Sequence, residues 1–109
     1  GIAHITGGGL TDNVPRMLPD PLAARFDPAT WSAPPIFQWL VEQGQMEIGE
    51  QYRALNMGIG MVLAVSVENL AAVLAAIPEA REIGDVVERD ADGPSVLGLD
   101  TSPRFAGQA

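Results

Sequence analysis

With 109 residues, the chain has room for one hydrophobic core and little more. Fourteen acidic side chains against six basic ones give a net charge of −8, a field that repels phosphate backbones and anionic lipid and argues against nucleic acid and membrane surfaces as partners. No cysteine is present, which removes disulfides, thiolate catalysis and cysteine-held metal and fits a cytoplasmic setting. His4 is the single histidine and all six basic residues are arginines, so a histidine-rich metal site, a Schiff-base lysine and a P-loop lysine are also excluded.

Gly1 leads directly into the apolar run Ile2-Ala3-His4-Ile5, which reads as a short strand entered part-way, so the chain is expected to start at a cut or processed end. Three glycines follow. Leu10, Val14, Met17 and Leu18 then have helical spacing, with Thr11 or Asp12 as cap, Pro15 in the first turn and Pro19-Asp20-Pro21 as the stop. Leu22 to Asp27 alternates as a strand, and Pro28 to Pro35 is a structured connection. A helix is expected from Pro35 to Gly44 and a shorter one over Ile48 to Asn56. Met57 to Val67 is a nearly unbroken apolar run, read as a central buried strand. Glu68 to Ile77 is a helix with Leu70, Val73, Leu74 and Ile77 on one face. Ala80 to Arg89 and Ser95 to Leu99 read as a closing hairpin around the turn Asp90 to Pro94, and Thr101 to Ala109 as a frayed tail. Trp31, Phe37, Trp39, Met57 and Met61 are assigned to the core. The order gives an α+β class with helices packed on a mixed sheet, residues 1–100 forming the domain and 101–109 a flexible tail.

The chemistry concentrates at His4-Ile5-Thr6-Gly7-Gly8-Gly9. A strand that ends in glycines and enters a helix lets backbone approach a ligand closely and offers helix N–H groups to an anion. Thr6 adds a hydroxyl donor, and His4 can donate to a phosphate or move a proton near neutral pH. A plain tight turn explains three glycines equally well. Neither the Walker pattern nor G-x-G-x-x-G is present. Downstream, Asn13 can read an amide or hydroxyl and Arg16 can grip a phosphate, although an N-cap at Asp12 and a solvated arginine account for the same residues. Gly58 and Gly60 clear one strand face for a close neighbour, expected to be the triple-glycine loop, with Asn56 bonding a ligand or pinning that loop.

Ala3-His4-Ile5-Thr6-Gly7-Gly8-Gly9, Asp12-Asn13-x-Pro15-Arg16 and Asn56-Met57-Gly58-Ile59-Gly60-Met61, in this order, resemble the carboxy-terminal domain of phosphoribosylformylglycinamidine cyclo-ligase, also called aminoimidazole ribonucleotide synthetase. The resemblance runs from Gly1 to about Leu99; Asp12 stands where that family commonly has Glu, and Leu55 where it has Phe. It implies an ATP-dependent ligase of purine synthesis that closes the imidazole ring of formylglycinamidine ribonucleotide, giving aminoimidazole ribonucleotide, ADP and phosphate. His4 and Thr6 would be catalytic, and Gly7, Gly8, Gly9, Asn13, Arg16 and Asn56 would bind substrate or phosphate. No metal ligand is assigned within the chain; ATP and Mg2+ would be held largely by an amino-terminal ATP-binding domain, in a cytoplasmic homodimer, and the chain alone would be inactive. Two other readings stand beside this one: another ATP-dependent member of the same superfamily, and a non-catalytic anion-binding or interaction fragment.

Overall fold

A computed structural model describes residues Gly1–Gly107. In chain order the elements are β1 (Ile2–His4), α1 (Gly9–Asn13), a 3₁₀ turn at Val14–Met17, β2 (Leu22–Phe26), a second 3₁₀ turn at Pro28–Thr30, β3 (Ser32–Ala33), α2 (Pro35–Gly44), α3 (Ile48–Ala54), β4 (Met61–Leu63), α4 (Val67–Ala76), β5 (Gly84–Glu88), β6 (Val96–Leu97) and β7 (Arg104–Phe105). The class is α+β, as expected. The strands, however, are divided among three small sheets: β1 with β4, the order β5-β2-β6, and β3 with β7.

The core lies where α1, the first 3₁₀ turn and α3 meet the inner faces of β1 and β2. Leu10, Val14, Tyr52 and Met57 are fully buried, with Ile5, Phe26 and Trp31 around them. The Trp31 indole N–H donates to the Met57 carbonyl at 3.1 Å, so its polar edge is satisfied inside the core. Burying a side chain of this size is worth roughly 1.5–3 kcal/mol, which makes this cluster the main support of the site.

Several expected elements differ. The helix read over Leu10 to Leu18 is two pieces, because Pro15 lacks an N–H and the chain continues from Val14 as a 3₁₀ segment with Pro15 in its first turn. Gly8 takes the N-cap position in left-handed conformation, and Thr11 and Asp12 lie inside the helix. Of the apolar run Met57 to Val67, only β4 is strand. Asn56 to Ile59 forms a tight turn with positive φ at Met57 and Gly58, closed by the Ile59 N–H on the Asn56 carbonyl at 3.0 Å. Met61 and Leu63 then point outward and are exposed, as is Trp39 at 56 %. Phe37 and Val41 instead carry the inward face of α2.

The closing hairpin does not form. Residues of β5 pair antiparallel with β2, and β6 crosses to the other edge of β2 and runs parallel to it. Gly98 allows this: φ is 86, and a Cβ there would overlap the Phe26 carbonyl oxygen. The crossover places Val96 and Leu99 against the core, which the exposed outer edge of β5 does not offer.

The stretch expected as a frayed tail is also built in, up to Gly107. β7 pairs parallel with β3, Phe105 enters the core, and the Ser102 hydroxyl donates to the Gln51 side chain at 2.6 Å. Gln108 and Ala109, the end of that expected tail, lie outside the described residues.

Candidate functional site

The glycine loop joins β1 to α1. The Gly9 N–H donates to the Thr6 carbonyl at 3.0 Å and closes a tight turn. Gly8 and Gly9 have φ of 98 and 61, which glycine adopts without steric cost. A side chain on Gly9 would overlap the Tyr52 carbonyl oxygen, and one on Gly8 would meet the Asp12 side chain. These two glycines are therefore demanded by the fold. Gly7 is different: a Cβ there would have nothing within 4 Å. Its open side faces solvent and gives a ligand access to the backbone.

Asn13 holds the loop in place. It is 3 % exposed, and its Nδ2 donates to the carbonyls of Gly9 at 2.8 Å, Thr6 at 3.2 Å and Gly7 at 3.3 Å. Its Oδ1 accepts from the Thr6 hydroxyl at 3.1 Å. Sequence reasoning expects Asn13 to read a ligand. Its polar atoms instead tie the loop together, which follows from the chain folding back on itself and is not visible as a linear motif.

His4, Thr6, Asn13 and Arg16 line one open cleft of about 400 Å³, with Ile2, Ala3 and Met17 supplying apolar wall; Gly7, Gly8 and Gly9 are not among the lining residues. Sequence reasoning passed over that wall because small and apolar residues carry no chemical signature. Arg16 is exposed, and among the described residues the ion pairs involve Arg25 with Asp85 and Arg53 with Asp12, not Arg16. A cation held at a cleft beside open backbone suits an anionic group. Asp12 sits against Gly8, so its carboxylate disfavours an anion on that side of the loop. The helix behind the loop has five residues and ends in the 3₁₀ turn, so its dipole is short.

Asn56 is not among the cleft residues. Its Oδ1 accepts the Gly58 N–H at 2.8 Å, which makes it a turn former. Gly58 packs against Ala33 and Pro34, and Gly9 against the end of α3, so these glycines do not face each other as expected. Gly60 does lie beside the site: its carbonyl accepts the Ile5 N–H at 2.9 Å.

A second cleft of about 330 Å³ lies between α3 and β6 and is lined by Thr11, Gly49, Arg53 and the stretch Val96–Asp100. Beside it the Tyr52 hydroxyl donates to the Thr101 carbonyl at 2.6 Å. Burial, and secondarily the nearby Asp100 carboxylate, pushes the Tyr52 phenol well above its ordinary range. Among the described residues no three His, Cys, Asp or Glu side chains gather in a way that could hold a metal ion. Among those residues no helix is long and apolar enough to cross a membrane.

Residues 1–96 match the family model described as AIR synthase related protein, C-terminal domain. The chain belongs to this family. As a member of the AIR synthase C-terminal family it is similar to the phosphoribosylformylglycinamidine cyclo-ligase of Chromobacterium violaceum, 50 % identical over 93 residues that cover 82 % of the chain and 27 % of that protein. The protein of the same name from a Synechococcus species is 45 % identical over 100 residues, 92 % of the chain and 28 % of its own length. A bifunctional purine biosynthetic protein of Saccharomyces cerevisiae is 46 % identical over 101 residues, 89 % of the chain and 13 % of its own length. The chain thus spans about a quarter or less of the length of these family members. The match to the family model includes the glycine loop, Asn13, Arg16 and the Asn56 turn.

Proposed function

We propose that the cleft at the end of β1 is the substrate-facing part of a phosphoribosylformylglycinamidine cyclo-ligase and works with further polypeptide that binds ATP. The observation that carries this reading is the meeting of His4, Thr6 and Arg16 in one cleft around a glycine turn locked by Asn13. The family membership and the names of the relatives support a cyclo-ligase reaction, and the ATP-dependent course below is part of the proposal.

In that reaction the formamide oxygen of formylglycinamidine ribonucleotide takes the γ-phosphoryl group of ATP, leaving ADP. The amidine nitrogen then bonds to the activated carbon, the carbon–oxygen bond breaks, phosphate departs and the ring nitrogen gives up a proton. Charge develops on oxygens, so fixed donors aimed at them do most of the catalytic work. Arg16 is suited to grip an anionic group. His4, exposed at the cleft, is suited to take the proton lost on ring closure. In this reading the nucleotide and its metal belong to an amino-terminal domain, the working enzyme is a cytoplasmic homodimer, and the chain alone has no turnover.

The test is complementation. The chain is combined with an amino-terminal half from a matching cyclo-ligase, and formation of aminoimidazole ribonucleotide is followed. His4→Ala and Arg16→Ala are each expected to slow ring closure by about tenfold or more. Unchanged rates in both variants contradict the site assignment.

A further inference from the structure

The Asn13 clamp also fixes which way the Thr6 hydroxyl points. Asn13 Nδ2 faces three carbonyl oxygens, those of Thr6, Gly7 and Gly9. With the carboxamide turned round, its oxygen would face those three acceptors with no hydrogen between them, so bonding alone decides the orientation. Oδ1 therefore faces Thr6 Oγ, 3.1 Å away, and as an acceptor it takes the only hydrogen that a hydroxyl has. Thr6 lines the cleft, and what remains for a ligand there is its lone pairs.

We infer that Thr6 is a specificity-determining residue that accepts a hydrogen bond from the substrate, so the group seated against it is an N–H or O–H donor, such as an amidine, and not a phosphate oxygen. This reverses the donor role expected for Thr6 from sequence, and it rests on the cyclo-ligase reading only for the identity of the substrate. Discrimination follows from the geometry. A phosphate oxygen at that position meets lone pairs, and the hydroxyl cannot turn to it without abandoning Asn13. Anion recognition is left to Arg16.

The experiment titrates the wild-type chain, Thr6→Ser and Thr6→Val with formylglycinamidine ribonucleotide and, separately, with inorganic phosphate, following backbone amide resonances. Thr6→Val is expected to bind the ribonucleotide roughly five- to tenfold more weakly than Thr6→Ser. Phosphate affinity should be the same in all three. Equal ribonucleotide affinity in the two variants, or phosphate affinity that falls with Thr6→Val while the Gly7 to Asn13 resonances stay in place, overturns the acceptor assignment. If Thr6→Val displaces those resonances, the wild-type complex decides. The Thr6 hydroxyl proton remains on Asn13 if the inference holds, and couples to ligand phosphorus if it does not. A wild-type chain that binds phosphate in the cleft but not the ribonucleotide defeats the cyclo-ligase reading instead. The acceptor assignment is then judged on phosphate alone: unchanged affinity in Thr6→Val upholds it, and a loss overturns it.

Discussion

Three adjacent glycines do three different jobs. Gly9 exists because α3 ends against it, Gly8 because the chain needs a left-handed cap, and Gly7 for neither reason. Substitution should separate them. Gly9→Ala is expected to cost about 3 kcal/mol or more in a denaturant melt, since the new methyl overlaps the Tyr52 carbonyl at positive φ. Gly7→Ala is expected to stay within about 0.5 kcal/mol of wild type, because its methyl meets nothing within 4 Å. Asn13→Ala should lose about 2 kcal/mol or more, as it leaves the Thr6, Gly7 and Gly9 carbonyls without their shared donor. The sequence pattern marks all three glycines as one motif. It cannot sort them, because what forbids a side chain at Gly9 comes from a helix more than forty positions away.

Elements bounded by local signals are legible, and those set by distant partners are not. Pro35 and Gly44 delimit α2 as read, and the alternation of Leu22 to Phe26 gives β2. The partner of β6 depends on which edge of β2 has core behind it, and the run Met57 to Val67 is hydrophobic enough to resemble a buried strand although its outer residues are exposed. The end of the chain is the sharpest case. Its composition reads as a tail, yet Phe105, Thr101 and Ser102 engage the core, Tyr52 and Gln51. Ending the chain at Asp100 is expected to lower stability by about 3 kcal/mol, combining loss of the Phe105 burial with two hydrogen bonds. Tyr52 also gives α3 a pH signature. Its folded-state pKa is raised by burial, so the folded state keeps the phenol proton that the unfolded state releases. Stability from this source is complete below the ordinary tyrosine pKa of about 10 and is lost as pH rises beyond it. Alkaline melts should show that loss, and Tyr52→Phe should remove it, together with about 1 kcal/mol from the bond to Thr101.

At the scale of the whole molecule the surface is large for the mass. A compact monomer of 11.5 kDa exposes about 5,800 Å². This chain exposes 6900 Å². Large apolar side chains contribute to that surface: Ile2, Met61 and Leu63 on the outer face of the β1–β4 ribbon, Val65 beyond it, and Val67 at 89 % exposure. A surface of this kind favours association, which the charge of −8 opposes at low salt. The chain is expected to form oligomers whose population rises with concentration and with salt in sedimentation experiments, and Met61→Glu should reduce them. A monomer unchanged across both conditions contradicts this expectation. The same view separates the two clefts, since the one at β1 opens beside the apolar ribbon and the other lies between α3 and β6. The central claim is that the first of these receives the substrate. Its most direct test is the map of amide resonances shifted by formylglycinamidine ribonucleotide on the wild-type chain. Shifts centred on Ala3 to Gly7, Asn13 and Arg16 are the expected result; shifts centred on Thr11, Arg53 and Leu97 to Asp100, or no shifts at all, contradict it.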